Sequence, residues 1–341
     1  MPVVDIKVVH LNGNYERKEV LDVNQLLKLS SSVYNTRNGS SQKLLKTISR
    51  DPFDVDKQLR QIRELKEIPQ AKKRTACTQR KKCEFYGKCF PEITDEGKLL
   101  EMGGSRLDYA RHRATQKKGL HMDCMGTKGW LETIRYPITF LDFEWETYAI
   151  PPYVGMKPYS ILPFQYSIHI LHEDGKLEHF EFLGVGDCRK ALVKRLIHDV
   201  PENGSVMAFN AKAAENRRVL EMEVQFPEYR KELLSISNRM SDLAELFVQG
   251  MVYDVEMKNS YSLKTLMGIM DAEAYQSLEI AQGMDAVFEW RKLDDASNLE
   301  KTEEIQQKLL NYCGMDSYAM VVIFQWIKEK LKNEVKPFKN K

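Results

Sequence analysis

The stretch "FQYSIHILHEDGKLEHFEFLG", residues 164–184, constrains the fold more than any other. Apolar and polar residues alternate on both sides of "HEDGKL". The Asp174–Gly175 pair is a turn signal, so the segment predicts two strands joined as a hairpin. "YPITFLDFEW", just upstream, reads as a further strand, which makes a three-strand meander. "DCRKALVKRLIHDV" then spaces its apolar residues as a helix does. "NGSVMAFN" is a short strand of the buried type behind an Asn-Gly turn, and "AAENRRVLEMEVQ" is helical. From there to the closing "KTEEIQQKLLNYCGMDSYAMVVIFQWIKEKLKNE" the pattern is mostly helical. A right-handed crossover lays the fourth strand beside the first and parallel to it. The expectation is an α/β fold, a mixed sheet with helices on its faces.

A length of 341 residues suggests two domains, and an apolar content of 43% supports a sizeable core. Upstream of the meander the character differs. Residues 1–70 hold an apolar strand, "VVDIKVVHL", a polar stretch, "SSSVYNTRNGSSQK", and a helix in "FDVDKQLRQIRELKEI". Residues 71–130 are basic, Cys-bearing and Gly-rich, and strand character returns only at Ile134. A boundary is therefore expected near residue 130, between regions 1–130 and 131–335. The net charge of +2, from 51 basic and 49 acidic residues, neither requires nor excludes a nucleic-acid partner. No apolar run of about eighteen residues is present, so no membrane span is expected. The opening "MPVVDIKVVHLNGNYERK" lacks the basic-then-apolar pattern of a secretion signal. A cytoplasmic protein is expected.

Acidic residues in apolar surroundings carry the functional signal. Asp142 and Glu144 stand two apart in "TFLDFEWETYAIPPY", so they project from one face of a strand while Phe143 and Trp145 take the other. Carboxylates about 6 to 7 Å apart along a strand repel unless a cation lies between them, and hard divalent ions fill that role. The alternative is a strand end with both acids in water. Tyr312 and Asp316 stand at i and i+4 in an apolar helical pattern and share a face; they read as a surface pair or as groups reaching across to a strand end. Glu215 opens a helix, where an acid also suits the helix dipole. Asp242, in "RMSDLAELF", reads as a helix N-cap or as a supporting acid. Singly each is weak; their joint order along a strand-rich chain is not.

That order is Asp-x-Glu on the first strand, an Asn-led acidic motif after the fourth, and Tyr-x-x-x-Asp on a late helix. It resembles the DEDD exonuclease superfamily, RNase H-like proteins that remove nucleotides from 3′ ends, and the last motif resembles its y-type branch. A closer resemblance is to a bacterial family of uncharacterised proteins in which such a domain follows a RecB-like, CRISPR-associated-type nuclease domain. It is carried by "FLDFEWETYAIPPYVGMKPYSILPFQYSIHI", "FNAKAAENRRVLEMEVQFPEY", "RMSDLAELF", "YSLKTLM" and "YCGMDSYAM", and covers roughly residues 132–330. The resemblance implies an RNase H-like mixed sheet, a meander plus parallel strands. It implies a metal-dependent 3′–5′ exonuclease acting on DNA or RNA, with single-stranded 3′ ends favoured. Two Mg²⁺ or Mn²⁺ ions would be held by Asp142, Glu144 and Asp316, with Glu215 completing the set. Tyr312 would orient the attacking water, and Asn210, Asp242 and Lys264 would support the site. One departure stands out. The superfamily's second motif puts its acid four residues after the Asn; counted from Asn210 that is Ala214, with Glu215 one further on. Either the helix start carries an extra residue and Glu215 swings in, or a ligand is missing. The second case would leave a catalytically decayed nucleic-acid-binding or scaffold protein.

Other features are weighed beside these. Pro151, Pro152, Pro158 and Pro163 stiffen the loop after the first strand. Tyr153, Tyr159, Phe164 and Tyr166 offer faces for base stacking or fill a core. Gln165 and His169 recur in the resembling family without a role, and His169 reads as a core histidine. Lys264, in "SLKTL", meets a phosphate or is solvated. Cys77, Cys83 and Cys89 are spaced by five residues each, and thiols so crowded suit Zn²⁺ or an iron–sulfur cluster, with Cys124 or a partner segment as fourth ligand. RecB-like nucleases resemble this segment but also have an early Cys and a PD-(D/E)xK core. No Cys precedes Cys77, and only Asp5–Lys7 faintly resembles that core. Residues 1–130 therefore read as a smaller α+β remnant, whose Lys and Arg suit phosphates or water equally.

Overall fold

The structure, a computed structural model, describes residues 7–30, 54–66, 105–258, 260–270, 280, 283–294 and 300–334. The chain forms two compact units, Met1–Tyr15 with Val20–Glu101, and Glu16–Glu19 with Met102–Lys341. In the first, β1 (Val8–Leu11) pairs antiparallel with β2 (Leu27–Ser30), preceded by the single turn α1 (Val23–Leu26). Asp22 caps α1, and its own N–H donates to the hydroxyl of the buried Tyr15. A separate helix, α2 (Val55–Arg63), follows.

The second unit begins with α3 (Arg106–Lys117), β3 (Leu120–Met122) and α4 (Cys124–Glu132). The meander follows as β4 (Ile138–Thr147), β5 (Ile161–Leu171) and β6 (Leu177–Leu183). Then come α5 (Arg189–Asp199), β7 (Ser205–Ala208), α6 (Glu215–Gln225), α7 (Arg230–Asn238) and β8 (Met240–Asp242). The chain continues through α8 (Glu245–Val248), β9 (Val252–Asp254), α9 (Leu263–Met270) and α10 (Gly283–Arg291) to the long α11 (Thr302–Glu334).

Five strands form one mixed sheet in the order β6-β5-β4-β7-β8. The meander is antiparallel, and β7 and β8 join it parallel to β4. The hairpin closes where expected, with Gly175 at φ 90° and the Lys176 N–H held by Asp174. Gly204 is needed twice over: its φ is 82°, and a Cβ there would lie 2.0 Å from the Pro137 carbonyl. The three-residue β8 and β9 were hidden in what reads as helical sequence, because so short a strand carries no alternation.

Alternation along β4 and β5 splits the interior in two. Leu141, Phe143, Tyr166 and Ile168 pack against α5, α6 and α7 on one face. On the other, Phe140 packs with Ala319, Phe324 and Ile327 of α11. Farther along the same face, Leu162 and Phe164 pack with Trp290 of α10 and with Leu309 and Tyr312 of α11. The boundary expected near residue 130 falls inside this unit. β3 pairs with β9, and Ala110, Ala114 and Met122 share a core with Phe140. Composition marked residues 71–130 off as basic, but in the described part Ala110, Ala114 and Met122 are buried in that shared core, while Tyr109 and Met125 stay exposed.

β4 runs two residues past the expected "YPITFLDFEW", to Thr147. A bulge makes this possible: Glu144 pairs with Gln165 and Trp145 with Pro163, which leaves Phe164 without a partner on β4. Phe164 thereby turns onto the Trp290 ring, stacked at 4.5 Å. Phe164 and Tyr166 are fully buried, so core packing, not base stacking, is their role. Tyr159 is exposed, at φ 60°.

Candidate metal centre

On the α11 side of β4 the even-numbered residues alternate Phe140, Asp142, Glu144 and Glu146. The acids thus enter the gap between the two apolar clusters on that face. α11 crosses above and delivers Tyr312 and Asp316 from consecutive turns of its buried side. One carboxylate oxygen from each of Asp142, Glu144 and Asp316 lies within 4.8 Å of the others. Glu144 and Asp316 are buried, and Asp142 partly so.

Glu215 is not one of that trio, but its turn brings it near enough for its charge to act on Asp142 and Glu144. The chain leaves β7 with Asn210 at φ 59°, a left-handed conformation that Asn tolerates better than most residues. The N–H groups of Ala213 and Ala214 both return to the Asn210 carbonyl, at 3.0 and 3.1 Å. Glu215, one residue beyond the position that the resemblance implies, is the acid that follows this turn into the interior. α6 starts at Glu215, whose side chain is buried with Oε2 lacking a hydrogen-bond partner. Asp242, at the end of β8, accepts from the Ala244 N–H at 3.0 Å, and the N–H groups of Asn210 and Ala211 also bond to it. It anchors the turn that carries Glu215. As a strand-end acid serving a loop, it is not the helix N-cap that its sequence allowed.

The electrostatics follow from burial and crowding. Burial, then the charges of Asp316 and Glu215, hold the Asp142 and Glu144 carboxyls well above the usual carboxylate range. Burial pushes Glu215 up to about 8. Four acids in such a space cannot all ionise without a countercharge. The donor set is all carboxylate oxygen, and Glu215 Oε2 is orphaned; both observations fit a hard divalent cation. Lys264, on α9, holds its ammonium 5.4 Å from the Tyr312 ring centroid and opposes the rise at Glu144. Burial and the three nearest acids push the Tyr312 hydroxyl far up, so it remains a neutral phenol.

Three neighbours carried no usable signal in the sequence. Cys313 is fully buried, with its sulfur 3.4 Å from Asp142 Oδ2, and its thiol donates to that oxygen. Arg291 on α10 grips Glu146 with both Nε, at 2.7 Å, and Nη2. Glu146 is thereby tied to α10 and is not one of the clustered trio of acids. Gly283, the first residue of α10, borders Glu144 Oε2. A lone Cys between Tyr312 and Asp316, and an Arg some 145 positions from its partner, could not be assigned from spacing. Cys77, Cys83 and Cys89 lie outside the described residues. Cys124 begins α4, partly exposed, its sulfur 3.9 Å from the Met122 carbonyl. Among the described residues no helix is long and apolar enough to cross a membrane.

A family model described as "Domain of unknown function (DUF2779)" matches residues 139–262. That stretch runs from β4 past β9. It includes Asp142, Glu144, Glu215 and Asp242, and ends before Lys264, Tyr312 and Asp316. No curated protein and no solved structure matches the chain.

Proposed function

We propose that this chain is a divalent-metal-dependent 3′–5′ exonuclease that hydrolyses phosphodiester bonds of DNA or RNA, on an RNase H-like fold. The observation that carries this reading is the convergence of Asp142, Glu144 and Asp316 from β4 and α11 into one buried oxygen cluster. The antiparallel meander with two parallel strands beside it supports the fold assignment. Asp142, Glu144 and Asp316 would hold Mg²⁺ or Mn²⁺, with Glu215 as a further ligand. Bound divalent ions supply Lewis acidity, which activates water and offsets charge on the departing oxygen. The protein's own groups do the rest. The neutral Tyr312 hydroxyl, one turn from Asp316, orients the attacking water. The Lys264 ammonium meets the phosphate charge. The carboxylates must be ionised to bind the metal, so activity falls toward acid pH.

The test uses end-labelled single-stranded DNA and RNA, Mn²⁺ or Mg²⁺, and an Asp142→Ala/Glu144→Ala double variant. Stepwise shortening from the 3′ end by the wild type alone is expected. Intact substrates with the wild type, or equal activity in the variant, would overturn the proposal and leave a nucleic-acid-binding or scaffold protein as the better account.

A further inference from the structure

α11 rests on the sheet partly through apolar contacts, which are non-directional and fix a helix's register less sharply than hydrogen bonds do. A slip of a single residue moves it 1.5 Å along its axis and turns it by about 100°. Asp316 would then leave the cluster. Hydrogen bonds fix such a position most sharply, and β5 offers three polar residues on the face beneath α11. Gln165, Ser167 and His169 alternate with the apolar Tyr166 and Ile168, and Ser167 lies opposite Asp142 in the sheet. Gln165 and Ser167 are fully buried, as is Ser317 of α11, and His169 is 8% exposed. Buried polar side chains in a helix–sheet interface are costly unless hydrogen-bonded.

Their hydrogen bonds go to two points on α11. Gln165 Nε2 donates to the Leu309 carbonyl at 2.8 Å, three residues before Tyr312. Ser317 Oγ, one residue after Asp316, meets Ser167 Oγ at 2.7 Å and His169 Nδ1 at 2.8 Å. Ser317 also donates to the Gly314 carbonyl at 3.1 Å, and Ser167 meets His179 Nε2 at 2.9 Å. Donor counting allows one arrangement. The Gly314 carbonyl only accepts, so it takes the single Ser317 hydrogen. Ser167 must then donate to Ser317, His169 must carry its proton on Nδ1 and donate to Ser317, and His179 must donate from Nε2 to Ser167. All four contacts are then satisfied, with His169 neutral. Burial, with the neighbouring His179, draws His169 down to about 4, which keeps it so. The two rings stack at 4.2 Å.

We infer that Gln165, Ser167 and His169 are positioning residues, a polar clamp on β5 that brackets the Tyr312–Asp316 stretch of α11 and sets its register over Asp142 and Glu144. The inference rests on the metal-centre reading, and its readout is Mn²⁺ affinity measured by electron paramagnetic resonance, independent of catalysis. Ser317→Ala and His169→Leu should each weaken Mn²⁺ binding about tenfold or more, as loss of groups that orient ligands does. Gln165→Met tests the other end of the clamp and should act in the same direction. His169→Asn puts an amide N–H where Nδ1–H stands and should bind within about threefold of wild type, on the same hydrogen-bond reasoning. Phe324→Leu, in the apolar core of the same helix, controls for general loosening and should leave affinity unchanged. Circular dichroism verifies that each variant is folded. Wild-type affinity in Ser317→Ala, His169→Leu and Gln165→Met would overturn the clamp, as would an equal loss in Phe324→Leu. A wild type that binds no Mn²⁺ would instead remove the metal centre, and the clamp's purpose with it.

Discussion

Glu215→Gln should make the metal-free protein more stable at alkaline pH, although it removes a proposed ligand. Glu215 is 4% exposed, its Oε2 has no hydrogen-bond partner, and burial holds its carboxyl at about 8 against an ordinary 4.5. The folded chain therefore keeps a proton that the unfolded chain has lost. The stabilisation is complete below about pH 4.5 and is lost as the pH rises through about 8. Each pH unit in that interval removes about 1.4 kcal/mol, and the whole interval about 5 kcal/mol at most. Glutamine resembles the protonated acid in shape and does not titrate. At pH 5 the two proteins should differ by less than about 1 kcal/mol, the usual size of a near-isosteric change. At pH 8 in EDTA the variant should be ahead by about 3 to 5 kcal/mol. Saturating Mn²⁺ should erase that lead by stabilising the folded wild type. Urea denaturation at pH 5, 6.5, 8 and 9, with and without Mn²⁺, makes the comparison. Parallel curves for the two proteins in EDTA would refute the reasoning, since they would mean that Glu215 is solvated and outside the acidic cluster.

Arg291→Ala removes the cation from Glu146, whose side chain is 5% exposed, and leaves it the Tyr148 hydroxyl as a hydrogen-bond partner; Arg291 itself is 47% exposed. The loss should fall between that of surface and buried pairs, about 2 to 3 kcal/mol, and adding Glu146→Gln should recover much of it; equal urea midpoints for wild type and Arg291→Ala would contradict the pairing. Gly314 lies inside α11 with only the His179 ring, at 3.9 Å, in the way of a Cβ. Gly314→Ala should therefore raise stability by about 0.5 to 1 kcal/mol, seen as a higher melting temperature, and a lower one would mean that the helix needs glycine's freedom there.

What the sequence determined by itself was local. Alternation and the Asp174–Gly175 turn specified the meander, because side-chain period and turn chemistry act within a few residues. The i, i+2 spacing put Asp142 and Glu144 on one strand face, and i, i+4 put Tyr312 and Asp316 on one helix face. Which faces meet was decided only by tertiary structure. The bulge at Phe164 carried β4 through Glu146 and opened that acid to Arg291. The turn after Asn210 brought Glu215 inward despite its displaced position. β3 found β9 across some 130 residues and drew a polar, basic segment into the core. Ser167 and His169 met Ser317, and Cys313 met Asp142, over comparable separations. None of these contacts leaves a periodic trace. Each depends on how far a turn advances the chain and how one packed layer is registered on another, and those are settled only when the whole sheet closes under α11.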